Sequence, residues 1–585
     1  MKILLIYPYF LEKRLQVEDV SVIPQGVFYI AALLKKHSYD VEILNWHNIN
    51  TGPQDIRSEL TQKNPDVIGF SILHGNRWGG IDIARIAKQI NPEVRIVFGG
   101  IGATFLWSHF LDHFPQVDFV VMGEGEYTFL SLIQCLDAGE MQKIERIEGL
   151  AYRKNGRVIR NQNAGPVRDL DQLPIPAQYF GYQHVSLTRG CAAKCDFCGS
   201  PQFWGRQVRF HSAGYFVEQL SLLAGQGIRF FYVSDDTFTI NAKRVIDICQ
   251  KMIEAKLDVQ WAAISRVDMI NADILYWMRK AGCIQISYGV ESGSEKIRKL
   301  LGKHIRQQQI CQAFELTQQY GIMARAYFIY GCPQESWQTI EQTIELMNAI
   351  KPLSAIFYIL DLFPGTALYD DYKKRQNVSD DIWLNRIEDI MYFETDPSLT
   401  KDLILAFGQK LRSAFYEKLP DYVEDLDLID NKDLYPQHAD FYSRLALTFQ
   451  MGDYAGIDAI AHKDRIAERL YQRSLEYGAS ARAYWGLGML YQQRQDFVES
   501  IQILTAGIKA FPKDEQLNLC VAVSYMNMGD FQKALSYLSE LQHLKEAVYF
   551  AAKCYQALDD VQKAARYLEK YKSMHKKYDL LSGPP

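Results

Sequence analysis

The sequence predicts a multidomain protein in which two α/β domains are followed by an all-α region. Apolar, β-rich runs alternate with amphipathic stretches over residues 1–140, and the same alternation returns over 184–364. From residue 436 onward the pattern is helical and repeats with a period of about 34 residues. A chain of 585 residues has room for about three or four domains, and a hydrophobic content of 48% is enough for their cores.

Composition and charge argue against a nucleic-acid-binding, a membrane-spanning or a secreted protein. A net charge of −5 gives no general attraction to nucleic acid or to an acidic membrane surface, so we expect no nucleic-acid partner. No apolar run approaches the roughly 18 residues that a membrane helix needs. The first residues, MKILLIYPYF, are too short for a signal peptide and are typical of a buried strand. Because the sequence shows neither a signal peptide nor a membrane helix, we expect a cytoplasmic protein. The cysteines of a cytoplasmic protein stay reduced.

The first domain, residues 1–140, contains five strand–helix pairs that predict a doubly wound, Rossmann-like parallel sheet. Ligands of such sheets bind outside the carboxyl ends of the strands. The turns there carry small residues that let a large ligand approach the backbone, with one carboxylate beside them: Ser71, Gly99, Gly100, Gly123 and Glu124. Tight turns without a ligand are the alternative. Residues 141–183 predict a linker, with a hairpin turning at Asn155–Gly156 and a proline-rich strap.

The second domain, residues 184–364, contains six strand–helix units. This number predicts a partial (β/α)6 barrel rather than a closed barrel of eight units. The chemistry of such barrels lies at the carboxyl ends of the strands. Residues 365–435 predict a mostly helical cap that helps to shape a substrate pocket.

The third region, residues 436–585, predicts a solenoid of three or four helix pairs. The segment Ala481–Asp514 and the residues after it resemble the tetratricopeptide repeat, through positions such as Leu487, Gly488 and Pro512. Repeats of this kind usually bind a partner protein. A packing or dimerisation module is the alternative.

Three of the ten cysteines, Cys191, Cys195 and Cys198, lie within eight residues after the first barrel strand. A structural zinc site usually takes four ligands and a disulfide framework needs an even number, so neither fits. Three thiolates from one loop suit three irons of a cubane cluster and leave the fourth iron for a small molecule. A zinc site with a distant fourth ligand is the alternative.

The C-x3-C-x2-C spacing and the motifs at later strand ends resemble the radical S-adenosylmethionine enzymes. The resemblance implies a 4Fe–4S cluster on the three cysteines, with S-adenosylmethionine at its free iron. The matching cofactor-binding positions are Phe197 in the cysteine loop, Ser234, Asp235 and Asp236 for the amino group, and Arg266 for the carboxylate. Gly289 and Glu291 match contacts to the sugar or amino-acid part, and Gly331 matches the adenine-side glycine motif.

The first domain resembles the cobalamin-binding domains that are fused to some of these enzymes. The nucleotide tail of cobalamin would then enter the sheet beside the small residues named above and Glu124. The Asp-x-His-x2-Gly loop that supplies a lower cobalt ligand in one class is absent, because LEKRLQVEDV follows the first strand. The lower face would meet the loop after the third strand, where the candidates are His74, Asn76, Arg77 and Trp78.

Taken with the resemblance, these motifs predict a cobalamin-dependent methyltransferase that uses a 5′-deoxyadenosyl radical and methylcobalamin on an unactivated carbon or phosphorus. Cyclisation, oxidation or rearrangement with the same cofactors is the first alternative. A methylthiotransferase is disfavoured because no second three-cysteine cluster precedes Cys135, and a scaffold with an inactive barrel is the non-enzyme alternative. We expect a small-molecule, carrier-bound or peptide substrate and an electron donor of the flavodoxin or ferredoxin type.

Overall fold

The computed structural model describes residues 1–11, 21–49 and 55–578. The chain separates into two compact units, one of Met1–Thr317 with Ile322–Phe415 and one of Gln318–Gly321 with Tyr416–Pro585. The first unit contains two large sheets that are mainly or wholly parallel, and the described part of the second unit is helical. The predicted fold class, α/β domains followed by an all-α region, is confirmed.

The first sheet has seven strands in the order β2-β1-β3-β4-β5-β6-β7, and β1 to β5 are parallel. The strands are β1 Lys2–Tyr7, β2 Asp40–Asn45, β3 Val67–Ser71, β4 Arg95–Gly99, β5 Phe119–Val121, β6 Leu150–Lys154 and β7 Arg157–Arg160. The helices are α1 Gln25–Lys36, α2 Ile56–Lys63, α3 Arg77–Ile90, α4 Ile101–Phe105, α5 Trp107–His113 and α6 Glu126–Asp137. The predicted doubly wound sheet is therefore present.

β1, which is paired on both sides with β2 and β3, shows why this sheet is covered on both faces. Its side chains alternate between two cores, because successive residues of a strand point to opposite sides. Leu4 and Ile6 pack into one core, and Ile3 and Leu5 pack into the other. A continuous run of apolar residues is the pattern that a parallel sheet buried on both faces requires.

The hairpin expected in the linker extends the first sheet. Asn155 and Gly156 both have positive φ, 51° and 75°, as a two-residue type I′ turn needs. β6 pairs antiparallel with β5, and β7 pairs antiparallel with β6. The strap that follows is packed down, since Leu170 and Leu173 are buried.

The second sheet has six parallel strands in the order β15-β14-β13-β12-β11-β8. A two-stranded antiparallel ribbon, β9 with β10, follows the first of them. The strands are β8 His184–Val185, β9 Thr188–Arg189, β10 Arg209–Phe210, β11 Phe230–Val233, β12 Gln260–Ser265, β13 Cys283–Glu291, β14 Met323–Tyr330 and β15 Ser354–Ile359. The outer strands β8 and β15 do not pair with each other in the described chain, so the predicted partial barrel is open.

The helices of this domain run from α7 to α14. They are α7 Ser200–Trp204, α8 Ala213–Gly225, α9 Ala242–Glu254, α10 Ala272–Lys280, α11 Glu295–Leu300, α12 Gln307–Gln319, α13 Trp337–Ile350 and α14 Ala367–Gln376. Two short 3-10 helices, Asp380–Leu384 and Tyr392–Thr395, then precede the long helix α15 Lys401–Glu424. The buried side chain of Trp383 joins the core that covers one face of the first sheet.

From residue 435 to residue 578 the structure describes four helix pairs, at the upper end of the predicted three or four. They are α16 Tyr435–Gln450, α17 Lys463–Tyr477, α18 Ala481–Gln493, α19 Phe497–Ala510, α20 Glu515–Asn527, α21 Phe531–Leu538, α22 Lys545–Ala557 and α23 Val561–Tyr578. A Cβ on Gly488 would lie about 2.5 Å from Leu504, so this glycine permits the close approach of α18 and α19. No helix in the described part of the chain combines the length and apolar character needed to cross a membrane.

Candidate active site

The loop with the three cysteines lies between β9 and β10, at the carboxyl end of the barrel sheet. Main-chain hydrogen bonds hold its middle. The N–H of Asp196 donates to the carbonyl oxygen of Leu301 at 3.0 Å, and its own carbonyl accepts from the N–H of Leu368 at 3.1 Å. The loop is therefore anchored to the segment after α11 and to the start of α14.

The arrangement of the sulfurs fits a cluster better than a single ion. An ionised Cys191 raises the pKa of Cys195, and Cys191 and Cys195 both raise the pKa of Cys198, so the thiols lie near one another. The three sulfurs are nevertheless not all within 4.8 Å of one another. One zinc ion with bonds of about 2.3 Å to sulfur would need closer spacing. Burial raises the pKa of Cys195 and raises that of Cys198 to about 11. Iron must displace these protons when it binds.

Two cations lie near the cysteines. The guanidinium of Arg266 and the ammonium of Lys303 both interact electrostatically with Cys195. Arg266 donates to both carboxylate oxygens of Asp268, at 2.9 Å each, which fixes its orientation. This positive charge suits the thiolates and the iron–sulfur cluster that they would hold.

Lys303, which the sequence analysis did not identify, forms a buried ion pair with Glu291 at 2.8 Å. Glu291 has a left-handed backbone, φ 65°, at an irregularity in the pairing of β13 with β14. A Cβ on Gly289 would lie 2.8 Å from Nζ of Lys303, so a larger residue there would displace the ion pair from its present position. Burial lowers the pKa of Lys303, but Glu291 and Cys195 outweigh it and the net shift is upward.

The acidic pair after β11 holds both ends of the cysteine loop. The buried carboxylate of Asp235 accepts from the N–H of Leu187 at 3.1 Å and from the N–H and hydroxyl of Thr188, just before the loop. Burial raises the pKa of Asp235 to about 7. Asp236 is exposed as a residue, but burial around its carboxylate raises the pKa, and this carboxylate accepts a hydrogen bond from Ser200, two residues after Cys198.

Three other predicted positions lie in the cysteine loop or directly after strands of the barrel sheet. Ser234 is exposed, and its hydroxyl is 2.8 Å from Nδ1 of His184. Phe197 is partly buried against the apolar core. Gly331 has φ 77°, and its N–H donates to the buried carboxylate of Glu335, which also accepts from the N–H of Cys332 at 3.2 Å. Burial raises the pKa of Glu335 to about 7.

A cavity of about 280 Å³ opens at the carboxyl ends of β3, β4 and β5. All five positions proposed from the first sheet line it: Ser71, Gly99, Gly100, Gly123 and Glu124. Gly100 has φ 95°, and a Cβ there would lie 2.8 Å from the carbonyl oxygen of Ile72. The lining of the cavity is mostly apolar and extends from the strand ends to Gly69 within β3 and Val97 within β4. The cavity therefore suits a ligand that inserts along these two strands.

The cavity and the cysteine loop share a wall. Phe203 and Trp204 of α7, a few residues after Cys198, line the cavity. A Cβ on Gly199, the residue after Cys198, would lie 3.3 Å from Ile101 at the start of α4. The exit of the loop therefore packs against the strand-end turns of the first sheet.

A buried network of four charged residues joins the same two regions at the loop entrance. Arg189 donates to Glu124 at 2.9 Å and to Glu126 at 2.6 Å, and Arg209 also pairs with Glu124. All four side chains are at most 9% exposed. Since Arg189 is two residues before Cys191, this network fixes the start of the loop against the cavity turn.

The four lower-face candidates do not line the cavity, which instead contacts Leu73 of their loop. The ring of His74 packs 4.1 Å from that of Trp383, and burial lowers its pKa well below the usual range. Asn76 donates to the carbonyl of Ser71 at 3.2 Å. Arg77 donates to the carbonyls of residues 387 and 388, and Trp78 donates to that of residue 385 at 3.2 Å. Residues 12–20, where the histidine loop would lie, are outside the described residues.

Comparison with known proteins identifies both α/β domains. The B12 binding domain family matches residues 19–133, and the Radical SAM superfamily matches residues 185–347. An uncharacterized methyltransferase, PH0819, of Pyrococcus horikoshii is 33% identical over 383 residues, covering 63% of this chain and 83% of that protein. The anaerobic magnesium-protoporphyrin IX monomethyl ester cyclase of Rubrivivax gelatinosus is 28% identical, covering 63% of this chain and 69% of its own.

The fold is also that of a solved structure. The radical S-adenosylmethionine methyltransferase TsrM of Kitasatospora setae, solved with cobalamin and a 4Fe–4S cluster, superposes with a TM-score of 0.59 at 14% identity. The match covers 81% of this chain and all of that one. The two matched domains account for three cofactors: cobalamin, S-adenosylmethionine and a 4Fe–4S cluster. The chain therefore belongs to the cobalamin-binding radical S-adenosylmethionine enzymes.

Proposed function

We propose that this enzyme is a methyltransferase that acts on a carbon or phosphorus centre without an acidic proton. The observation that carries the proposal is the wall shared by the cysteine loop and the cavity at the strand ends of the first sheet. When bound, the cluster with S-adenosylmethionine supplies hydrogen-atom abstraction, and cobalamin supplies the methyl group. A substrate between the two sites would reach both.

We assign cluster binding to Cys191, Cys195 and Cys198. We assign S-adenosylmethionine to the adjacent ends of β11 to β14, where Ser234, Asp236, Arg266, Gly289, Glu291 and Gly331 lie, with Phe197 in the loop beside them. Asp235 is a positioning residue in this proposal, because its carboxylate is already satisfied by the chain that enters the cysteine loop. Asp236 is exposed and suits the cationic amino group.

We assign the cavity to cobalamin, and Gly99 gives the sharpest test. A Cβ on Gly99 meets nothing closer than 3.8 Å, so alanine fits there. A phenylalanine would extend into the cavity, and overpacking of about 1–3 kcal/mol corresponds to a loss of about fivefold to a hundredfold in cobalamin affinity. We expect Gly99→Phe to lose cobalamin, measured by absorbance after reconstitution, with its iron content unchanged.

Gly99→Ala is the matched control and should keep its cobalamin within about twofold of wild type, because a methyl group fits at that contact distance. Equal cobalamin content in wild type and Gly99→Phe would remove the assignment of the cavity. A loss of iron together with cobalamin would show general misfolding of Gly99→Phe rather than a filled cavity.

A substrate-independent experiment tests methyl transfer. Holoenzyme reduced with titanium(III) citrate is given S-adenosylmethionine that carries a deuterated methyl group. We expect one labelled methyl group on the bound cobalamin and one S-adenosylhomocysteine for each transfer, both measured by mass spectrometry. A cyclase or oxidase would release 5′-deoxyadenosine without labelling cobalamin, and that result would replace the proposal with the alternative that the cyclase relative favours.

We further propose a reducing compartment, the cytoplasm, and a one-electron donor of the flavodoxin or ferredoxin type. The support is chemical, since all ten cysteines are free thiols and three of them must remain available to iron. For the helix pairs of α16 to α23 we propose a protein partner, such as a carrier or peptide that presents the substrate.

A further inference from the structure

A second group of metal-ligating side chains lies on α5 and on the 3-10 helix Asp380–Leu384. His109 and His113 are four residues apart on α5, so they share one face of that helix. Asp381 comes from the 3-10 helix. One ligand atom from each of these three residues lies within 4.8 Å of the other two. Nε2 of His113 is 3.1 Å from Oδ1 of Asp381.

His109 gives independent support for a ligand. Its side chain is only 4% exposed, and neither ring nitrogen has a hydrogen-bond partner in the part of the chain that the structure describes. The rings of Phe110 and Phe114 pack around it, with centroids 5.9 and 5.7 Å away. A buried polar atom without a partner is rare and unfavourable, whereas a metal ion would use the lone pair of the imidazole.

The other two residues make the site accessible and orient it. The side chains of His113 and Asp381 are 36% and 65% exposed, so an ion can enter from solution. The hydroxyl of Ser379 donates to Oδ2 of Asp381 at 2.9 Å and so directs Oδ1 toward His113. Hydrogen bonds of this kind fix the orientation of ligating carboxylates in metal sites.

We propose that His109, His113 and Asp381 form a zinc site that joins α5 of the first domain to the 3-10 helix after the barrel. Two imidazoles favour zinc over calcium or magnesium, which prefer oxygen ligands alone. Three protein ligands leave the fourth position of a tetrahedral ion for water.

The site has a structural consequence within the first unit. Trp383 lies two residues after Asp381, and it packs against His74 and under the guanidinium of Arg77, 4.6 Å from the ring centroid. A zinc ion bound to Asp381 would hold this tryptophan against the loop after β3. The ion would thus stabilise the contact between the cap segment and the first sheet.

Equilibrium dialysis of the full-length holoenzyme against zinc, followed by metal analysis, tests the proposal. We expect one zinc ion per chain in addition to the iron of the cluster. His113→Ala and Asp381→Asn change exposed residues, and each should weaken zinc binding by about tenfold or more. His109→Ala should do the same, and zinc should raise the unfolding temperature of wild type but not of these variants.

His543→Ala is the matched control. His543 forms a comparable exposed pair with Glu515, at 2.7 Å, without a third ligand among the described residues, so its loss should leave zinc binding unchanged. Zinc binding that survives in both His113→Ala and Asp381→Asn would overturn the proposal. Zinc binding that disappears when Cys191, Cys195 and Cys198 are replaced together would also overturn it, because the ion would then belong to the cysteine loop.

Discussion

Cys195→Ala is expected to remove the iron–sulfur cluster and, with it, the reductive cleavage of S-adenosylmethionine. Wild type should contain about four irons per chain after anaerobic reconstitution. Lys303, Glu291 and Arg266 all act electrostatically on Cys195. We expect cleavage below about a hundredth of the wild-type rate, because two thiolates do not hold the cluster that delivers the electron, and removing one member of a unit costs about as much as removing all of it.

The measurement is the iron and sulfide content together with 5′-deoxyadenosine released after reduction with dithionite. Cys311→Ala is the matched control, because this thiol is also partly exposed but lies on α12, away from the loop. It should keep the full iron content and cleavage rate. The assignment of the cluster fails if Cys195→Ala, folded and loaded with cobalamin, still cleaves the cofactor at the rate of the control.

The local parts of this architecture were predictable from the sequence. The alternation of strands and helices, the positive-φ turn at Asn155–Gly156 and the cysteine spacing depend on residues close together in the chain. The five small or acidic positions at the ends of the first sheet also lie on one cavity, because parallel strands end at one edge. The hydrophobic periodicity and the turn residues were therefore enough to predict the fold and the edge of the sheet at which the cavity lies.

The ion-pair and hydrogen-bond partners of the charged residues and loop residues could not be predicted from the sequence. Lys303 pairs with a residue twelve positions earlier across an irregularity in β13, and no periodic pattern indicates this. The loop after β3 offered four polar or aromatic candidates for cobalt. Arg77 and Trp78 instead bind to residues about 300 positions later, Asn76 bonds to Ser71, and Leu73 lines the cavity. Such contacts depend on how distant segments pack, which a single sequence does not reveal.

Arg189→Met is expected to be the most destabilising single change between the cavity and the cysteine loop. Arg189 pairs with Glu124 and Glu126, and its guanidinium also lies 5.2 Å from the ring of Tyr29 and 5.3 Å from that of Trp204. Methionine keeps the volume but leaves Glu126 as a buried carboxylate without its cation. Breaking one side of a buried ion pair costs about 3–5 kcal/mol, so we expect a loss of that size in the free energy of unfolding.

Arg386→Met is the control, because Arg386 forms an ion pair of similar geometry with Asp82, at 2.6 Å, but is 52% exposed. Removing an exposed pair should cost about 0–1 kcal/mol. Denaturant unfolding, followed together with iron and cobalamin release, measures both changes. We expect Arg189→Met to release both cofactors at lower denaturant concentration than the control.

A second substitution separates lost packing from uncompensated charge. Glu126→Gln removes the carboxylate that Arg189→Met would leave unpaired, so the double variant should recover part of the lost stability. Arg209 still neutralises Glu124 in that variant, and the loop entrance keeps one of its two cations. Recovery would show that buried charge at this junction, rather than the shape of the arginine, holds the cysteine loop against the cavity. If the double variant were less stable than Arg189→Met alone, packing would be the main contribution of the network.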